Sequence, residues 1–269
     1  MKIGRHDFDT DNNAYIMGIL NVTPDSFSDG GKWTDRDVAL AHVQDMINEG
    51  ATIIDVGGES TRPGYTRISD EEEIERTAPV IREIKKNFDI TVSIDTYKSK
   101  VARAAIMEGA DIVNDIWGLK ADDKMAELVA KNDVSVVIMH NRDNEQYVSF
   151  MDDMISDLKE SIDIAKKAGI ADDKIIVDPG VGFAKNYEQN LMAINNVGRL
   201  RELGYPVLLA TSRKSIVGLT LDTPKDERVE GTIVTTVFGA QQGCSFFRVH
   251  DVKENMRALL MTRAILGEK

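Results

Sequence analysis

Short apolar runs alternate with amphipathic stretches along the whole chain. The first run, Ile16 to Leu20, ends at Asn21 and gives way to a stretch of Thr, Pro, Asp, Ser and Gly, which reads as a buried strand delivering a polar residue to a rim and opening into a loop. Seven more runs follow at Thr52–Val56, Thr91–Asp95, Asp111–Asp115, Val134–Met139, Ile175–Asp178, Pro206–Ala210 and Ser245–Val249. Between and after them, helical spacing predicts helices over 35–49, 70–88, 99–107, 122–131, 150–168, 188–202, 227–242 and 252–266. In the first helix Val38, His42 and Met46 lie at helical spacing; in the second, Ile74, Ala78, Ile81, Ile84 and Phe88 make the stripe and Pro79 predicts a kink. Residues 1–13 are polar and predict a small flap or hairpin.

Eight short strands, each followed by a helix, predict a parallel sheet, and closure within this length predicts a single (β/α)₈ TIM barrel spanning residues 1–269, with mobile loops after the first two strands. A doubly wound open sheet is the competitor; no GxGxxG follows the first strand. In a barrel the strand ends meet at one mouth. They read Asn21, Asp55, Asp95, Asn114, His140 and Asp178, with Lys214 just beyond strand seven and Arg248 and His250 at strand eight. An Asp after a strand is more often the cap of the next helix than a catalyst, and Asn21 alone fits a turn as well as a site. Eight such ends on one rim exceed what caps explain. Lys85, Lys86, Lys166 and Lys167, on the helices, read as solvated charges.

Composition narrows the partners. The 269 residues are 42% hydrophobic and 29% charged, enough apolar material for a large core. A net charge of −12 argues against nucleic acid and anionic membranes as partners, though not against an anionic small molecule at a local cationic cluster. The lone Cys244 cannot form an internal disulfide and reads as a small buried hydrophobe; with no signal-like N-terminus and no run near the roughly 18 apolar residues of a membrane span, the expected location is the cytoplasm. Arg213, Lys214, Arg248, His250 and Asn21 suit a phosphate-bearing group, with or without a divalent metal. Asp95, Asn114 and Asp178 suit a heterocycle with adjacent amino and ring N–H donors beside a carbonyl, as in guanine or pterin. Clustered Cys and His ligands are missing, which disfavours zinc, and no GxSxG or Cys nucleophile supports covalent acyl chemistry.

The segments NVTPDSFSDGG, DVGGESTRPG, SIDTYKSKVARAAIMEGADIVNDIWG, DPGVGFAK, TSRKSIVG and RVHDV, in this order, resemble the bacterial dihydropteroate synthases. The resemblance runs from about Ile16 to Val252 and implies a (β/α)₈ transferase of folate biosynthesis, which joins 6-hydroxymethyl-7,8-dihydropterin pyrophosphate to 4-aminobenzoate with Mg²⁺ and is inhibited by sulfonamides. It implies a pterin site at Asp95, Asn114, Met139, Asp178, Phe183 and Lys214. It implies a pyrophosphate site at Asn21, Arg248 and His250, with Asn21 also the metal ligand. The aminobenzoate pocket would comprise Phe27, Thr61, Arg62, Pro63, Lys214 and Ser215, and the catalytic work would fall on Asp95, Lys214 and Arg248. Ala210 stands where the family often has Gly, and Tyr65 sits at a variable position. The rivals are a pterin-binding methyltransferase, which would not need Arg248, His250 or the TSRKS segment, and a non-catalytic pterin-binding paralogue. The family habit, together with the apolar Ile233, Val234, Val237 and Phe238 of the 227–242 helix, points to a homodimer.

Overall fold

The computed structural model describes residues 1–22, 35–59 and 67–267. Phe27, Thr61, Arg62, Pro63 and Tyr65 therefore lie outside the described residues. A two-stranded hairpin, β1 (Lys2–Ile3) with β2 (His6–Asp7), precedes eight parallel strands: β3 (Tyr15–Asn21), β4 (Ala51–Gly57), β5 (Thr91–Asp95), β6 (Ile112–Asp115), β7 (Ser135–Met139), β8 (Ile175–Asp178), β9 (Leu208–Leu209) and β10 (Phe246–Val249). The sheet order is β8-β7-β6-β5-β4-β3-β10-β9, and a bridge between Val177 and Val207 brings its two outer strands together. The sheet is the expected (β/α)₈ barrel.

The pleat sorts the side chains into two cores. Met17, Ile53, Ile112, Val137, Ile176, Leu208 and Phe246 fill the barrel interior, whereas Ile16, Ile54, Val92, Val113, Val136, Val177 and Phe247 pack outward beneath the helices. The polar N-terminal residues prove to be a plug. Ile3 and Phe8 join the interior cluster, and the Phe8 ring meets Tyr15 edge-on with centroids 4.9 Å apart.

The helices are α1 (Asp35–Asn48), α2 (Asp70–Asn87), α3 (Ser99–Met107), α4 (Met125–Asn132), α5 (Phe150–Ala168), α6 (Tyr187–Asn195), α7 (Ser215–Leu221), α8 (Val229–Gln241) and α9 (Val252–Leu266). On α1 the buried stripe is Ala39, Val43 and Met46; Val38 and His42 face outward, one position from the predicted stripe. Pro79 does not interrupt α2, which runs unbroken from a Ser69 cap whose hydroxyl accepts the Glu72 N–H. Nor is Lys85 simply solvated: it donates to Asp111 at 2.8 Å and ties α2 to the start of β6. The helix predicted over 188–202 ends at Asn195 and continues as a 3₁₀ turn, Val197–Leu203, where Asn195, Asn196 and Gly198 weaken the α-helix. The sequence reading overlooked α7, a seven-residue helix that starts directly after Lys214.

Candidate active site

The same pleat decides which polar residues enter the barrel mouth. On β4 the inward series is Ile53, Asp55, Gly57; on β6 it is Ile112, Asn114; on β10 it is Phe246, Arg248. Each of these three strands thus carries an apolar interior residue and, two residues later, a polar one above it. Asn114 and the adjacent Asp115 illustrate the sorting. Asn114 Nδ2 donates to Asp55 Oδ2 at 3.3 Å, while Asp115 points away and accepts the backbone N–H groups of Trp117 and Leu119.

Arg248 is the centre of that polar layer. Its Nε donates to Asp55 Oδ2 and its Nη2 to Asp95 Oδ2, each at 2.6 Å. Burial alone would weaken the guanidinium charge, but the two carboxylates outweigh it and hold its pKa above the ordinary value. Burial likewise lifts Asp95 above the usual carboxylate range against the pull of Arg248. The second carboxylate oxygens, Asp55 Oδ1 and Asp95 Oδ1, are buried with no partner among the described residues, an arrangement that offers two strong acceptors to a ligand's N–H groups. Asn21 and Asp95 flank Gly57: a methyl built there would sit 3.7 Å from both Asn21 Oδ1 and Asp95 Oδ2, in ordinary van der Waals contact with each.

Asp178 and Lys214 form the opposite wall. Asp178 Oδ1 accepts the Gly180 N–H at 2.7 Å, and burial raises its pKa against the pull of Lys214. Lys214 Nζ donates to the Val181 carbonyl at 2.5 Å and stands 4.9 Å from the centre of the Phe183 ring. Burial lowers the Lys214 pKa to about 8, with Asp178 opposing. Met139 is buried at the end of β7, next to Asp178 in the register. His250 is placed by Ser212, whose hydroxyl accepts the His250 backbone N–H at 3.1 Å and lies 3.0 Å from its Nδ1. Ser215 is exposed at the first position of α7.

Two of the rim residues read from sequence do not join this set. Arg213 turns to Asp251, to which its Nε donates at 2.9 Å and its Nη2 in parallel, so among the described residues Lys214 and Arg248 remain as the cations of the mouth, with His250 at its rim. His140, at the end of β7, is enclosed between Asp157 and Lys185. Conversely, Asp55 is read from sequence only as a strand end at the mouth, and Lys185 only as the last residue of the DPGVGFAK segment, neither with a role. The inward parity of Asp55, two residues beyond Ile53, is a further signal for it; no periodicity marks Lys185 as buried.

A family model described as pterin binding enzyme matches residues 17–250, which span all eight barrel strands apart from the first two residues of β3. A dihydropteroate synthase of Clostridium beijerinckii is 60% identical over 99% of both chains. The chain belongs to the dihydropteroate synthase family. Solved dihydropteroate synthases share its barrel: one from Clostridium difficile, determined in the presence of pteroic acid, has a TM-score of 0.94 at 49% identity and covers 98% of this chain and 100% of its own. Another from Xanthomonas albilineans, with 4-aminobenzoic acid, has a TM-score of 0.91 at 39% identity, covering 95% of this chain and 94% of its own. Ala210, two residues beyond Leu208, packs on the barrel's interior cluster at the level of the polar layer.

Proposed function

We infer that the chain catalyses the dihydropteroate synthase reaction: 4-aminobenzoate displaces pyrophosphate from the methylene of 6-hydroxymethyl-7,8-dihydropterin pyrophosphate, giving 7,8-dihydropteroate. The observation that carries this reading is the layer Asp55–Arg248–Asp95 with Asn114, Asp178 and Lys214 in the same mouth. The pterin ring offers an amino group, ring N–H groups and a carbonyl; Asp178, Asn114 and the open oxygens of Asp55 and Asp95 accept from the former, and Lys214 donates to the latter. Met139 and Phe183 supply apolar contact to its faces.

As the bond between the methylene carbon and the pyrophosphate oxygen breaks, positive charge spreads into the ring and negative charge collects on the leaving group. Asp95, already held in a water-poor layer, stabilises the first; Arg248 and His250 stabilise the second. The amine nitrogen of 4-aminobenzoate then forms the new bond to the methylene and loses a proton. Thr61, Arg62, Pro63 and Phe27, with Ser215 and Lys214, hold this second substrate in our reading.

The Asn21 amide oxygen is the kind of hard oxygen donor Mg²⁺ takes, and Asn21 would hold the ion together with pyrophosphate oxygens of the substrate. Among the described residues no group of three His, Cys, Asp or Glu could hold a metal. When bound it would neutralise charge on the departing pyrophosphate.

No helix among the described residues is long and apolar enough to cross a membrane. We place the enzyme in the cytoplasm as a homodimer. Support for the dimer is the outward apolar side of α8, where Val234 and Phe238 are exposed, beside Leu221, Leu191 and Met192 in a groove of about 630 Å³. The test of the reaction is pyrophosphate release requiring both substrates and Mg²⁺, abolished by chelation and restored by added Mg²⁺. Pyrophosphate release that 4-aminobenzoate does not accelerate, or none with both substrates, overturns the reading.

A further inference from the structure

Between β8 and α6 the chain makes a tight loop in which Gly180 (φ 66°), Gly182 (φ 86°) and Ala184 (φ 45°) all adopt left-handed backbone. A side chain at Ala184 makes that conformation unfavourable, so the loop needs external fixing. Lys185 supplies it from below. Its buried Nζ donates to the Gly180 carbonyl at 3.0 Å and to the Phe183 carbonyl at 2.9 Å, and lies 2.9 Å from His140 Nδ1. An ammonium has three N–H groups, and here each has an acceptor.

This arrangement sets the histidine tautomer. Nδ1 of His140 accepts from Lys185, so Nε2 carries the proton and donates to Asp157 Oδ2 at 2.9 Å. Burial lowers the His140 pKa to about 4, which keeps the ring neutral as that pattern requires. Arg142 grips the same Asp157 through Nε at 2.5 Å and Nη2 at 3.1 Å. On the far side of the loop, Tyr147 Oη donates to the Ala184 carbonyl at 2.8 Å. Burying an ammonium is expensive, and here it pulls the Lys185 pKa down to about 7; an apolar residue would fill the space without that penalty.

The loop so fixed makes two contacts with the Lys214 ammonium: the Val181 carbonyl accepts its N–H, and the Phe183 ring faces it. We propose that Lys185 is a positioning residue of the pterin pocket, which through the Gly180 and Phe183 carbonyls sets the placement of Phe183 and Val181 and thereby of Lys214. The proposal rests on the reading of Phe183 and Lys214 as pterin contacts.

A double-mutant cycle tests it, with pteroic acid as the titrant in calorimetry and thermal unfolding followed alongside. Lys185→Met weakens pteroic acid binding by about tenfold or more, as does Phe183→Leu; together they weaken it little more than either alone, because both act through the same ring. A residue that merely supports the fold lowers the melting temperature but gives effects that multiply. Affinity within about twofold of the parent for Lys185→Met, or multiplying effects in the cycle, overturns the proposal. Should Lys185→Met fail to fold, Tyr147→Phe removes only one bond to the same loop; it is expected to weaken binding about threefold, without adding to Phe183→Leu, and unchanged affinity overturns the proposal. If the unsubstituted chain does not bind pteroic acid, the functional reading itself falls, and this assignment with it.

Discussion

Asp95→Asn separates binding from chemistry at the centre of the site. The amide keeps the volume and an acceptor for Arg248 Nη2, now 2.6 Å from the carboxylate, and Arg248 retains its other partner, Asp55. The fold should hardly notice. One charged contact is lost, but a buried carboxylate whose ionised form burial disfavours is removed, and the two nearly cancel, within about 1 kcal/mol. Turnover should fall about 10²–10³-fold, or roughly 3–4 kcal/mol, the loss expected when one preorganised charge facing the developing cation is removed. The affinity for pteroic acid should fall by only about tenfold, the effect of the one oxygen facing the ring's N–H groups becoming an amide N–H₂ while the other still accepts from Arg248. Two pH signatures accompany the substitution. In the parent, kcat/KM rises with pH as Asp95 loses its proton, at a pH above the usual carboxylate range; in the variant that acid limb disappears. Because the Asp95 pKa is higher folded than unfolded, its stabilising contribution is present at low pH and fades as pH rises through the folded value, a fade the variant lacks. Arg248→Met is the contrasting control: it leaves Asp55 and Asp95 buried together without a cation, and should cost about 3–5 kcal/mol in urea unfolding. Single-turnover kinetics with pteroic acid titration decides the matter. If turnover and affinity fall in parallel in Asp95→Asn, the carboxylate only binds, and the charge-stabilising argument is wrong.

Lys214→Ala should raise KM for both substrates by about tenfold or more, since Lys214 stands between the Phe183 wall and Ser215; an unchanged KM for 4-aminobenzoate refutes the shared position. Gly180→Ala should destabilise the protein by about 2–4 kcal/mol, because the new methyl would lie 2.0 Å from the His140 carbonyl oxygen at a φ of 66°. Urea denaturation showing under about 1 kcal/mol would mean that the loop adjusts freely. Val234→Glu with Phe238→Glu should yield monomers in sedimentation velocity with the melting temperature of the monomer unchanged, since both side chains face out of the fold; a persisting dimer places the interface elsewhere.

Much of the architecture was legible because period and punctuation were strong. The eight apolar runs, the Gly-rich strand exits and the long amphipathic stretches of α2 and α5 each satisfied local and global demands together. The misreadings share a cause. On α1 two overlapping stripes, Val38–His42 and Ala39–Val43, fit a helix equally well, and only the neighbouring strand chose the second. Pro79 lies inside a helix that continues on both sides of it, and the seven residues of α7 were too few to show a period. Lys85 read as solvent-facing until Asp111, 26 positions away, came within 2.8 Å.

The sequence alone determined the strand count, the alternation that makes the sheet parallel, the motifs that place the chain among the dihydropteroate synthases, and the polar character of each strand end. These are properties of neighbours along the chain. Tertiary structure decided which of two adjacent polar residues faces inward, as with Asn114 against Asp115, and which cations stay with the site, as with Arg248 against Arg213. It also brought Asp55, Asp95 and Arg248 together from positions up to 193 residues apart, and put Lys185 beneath a loop that its own sequence merely ends. The reason is physical: a strand's pleat and the closure of the barrel convert order along the chain into height and direction around an axis, and the pairing of buried charges depends on those coordinates alone.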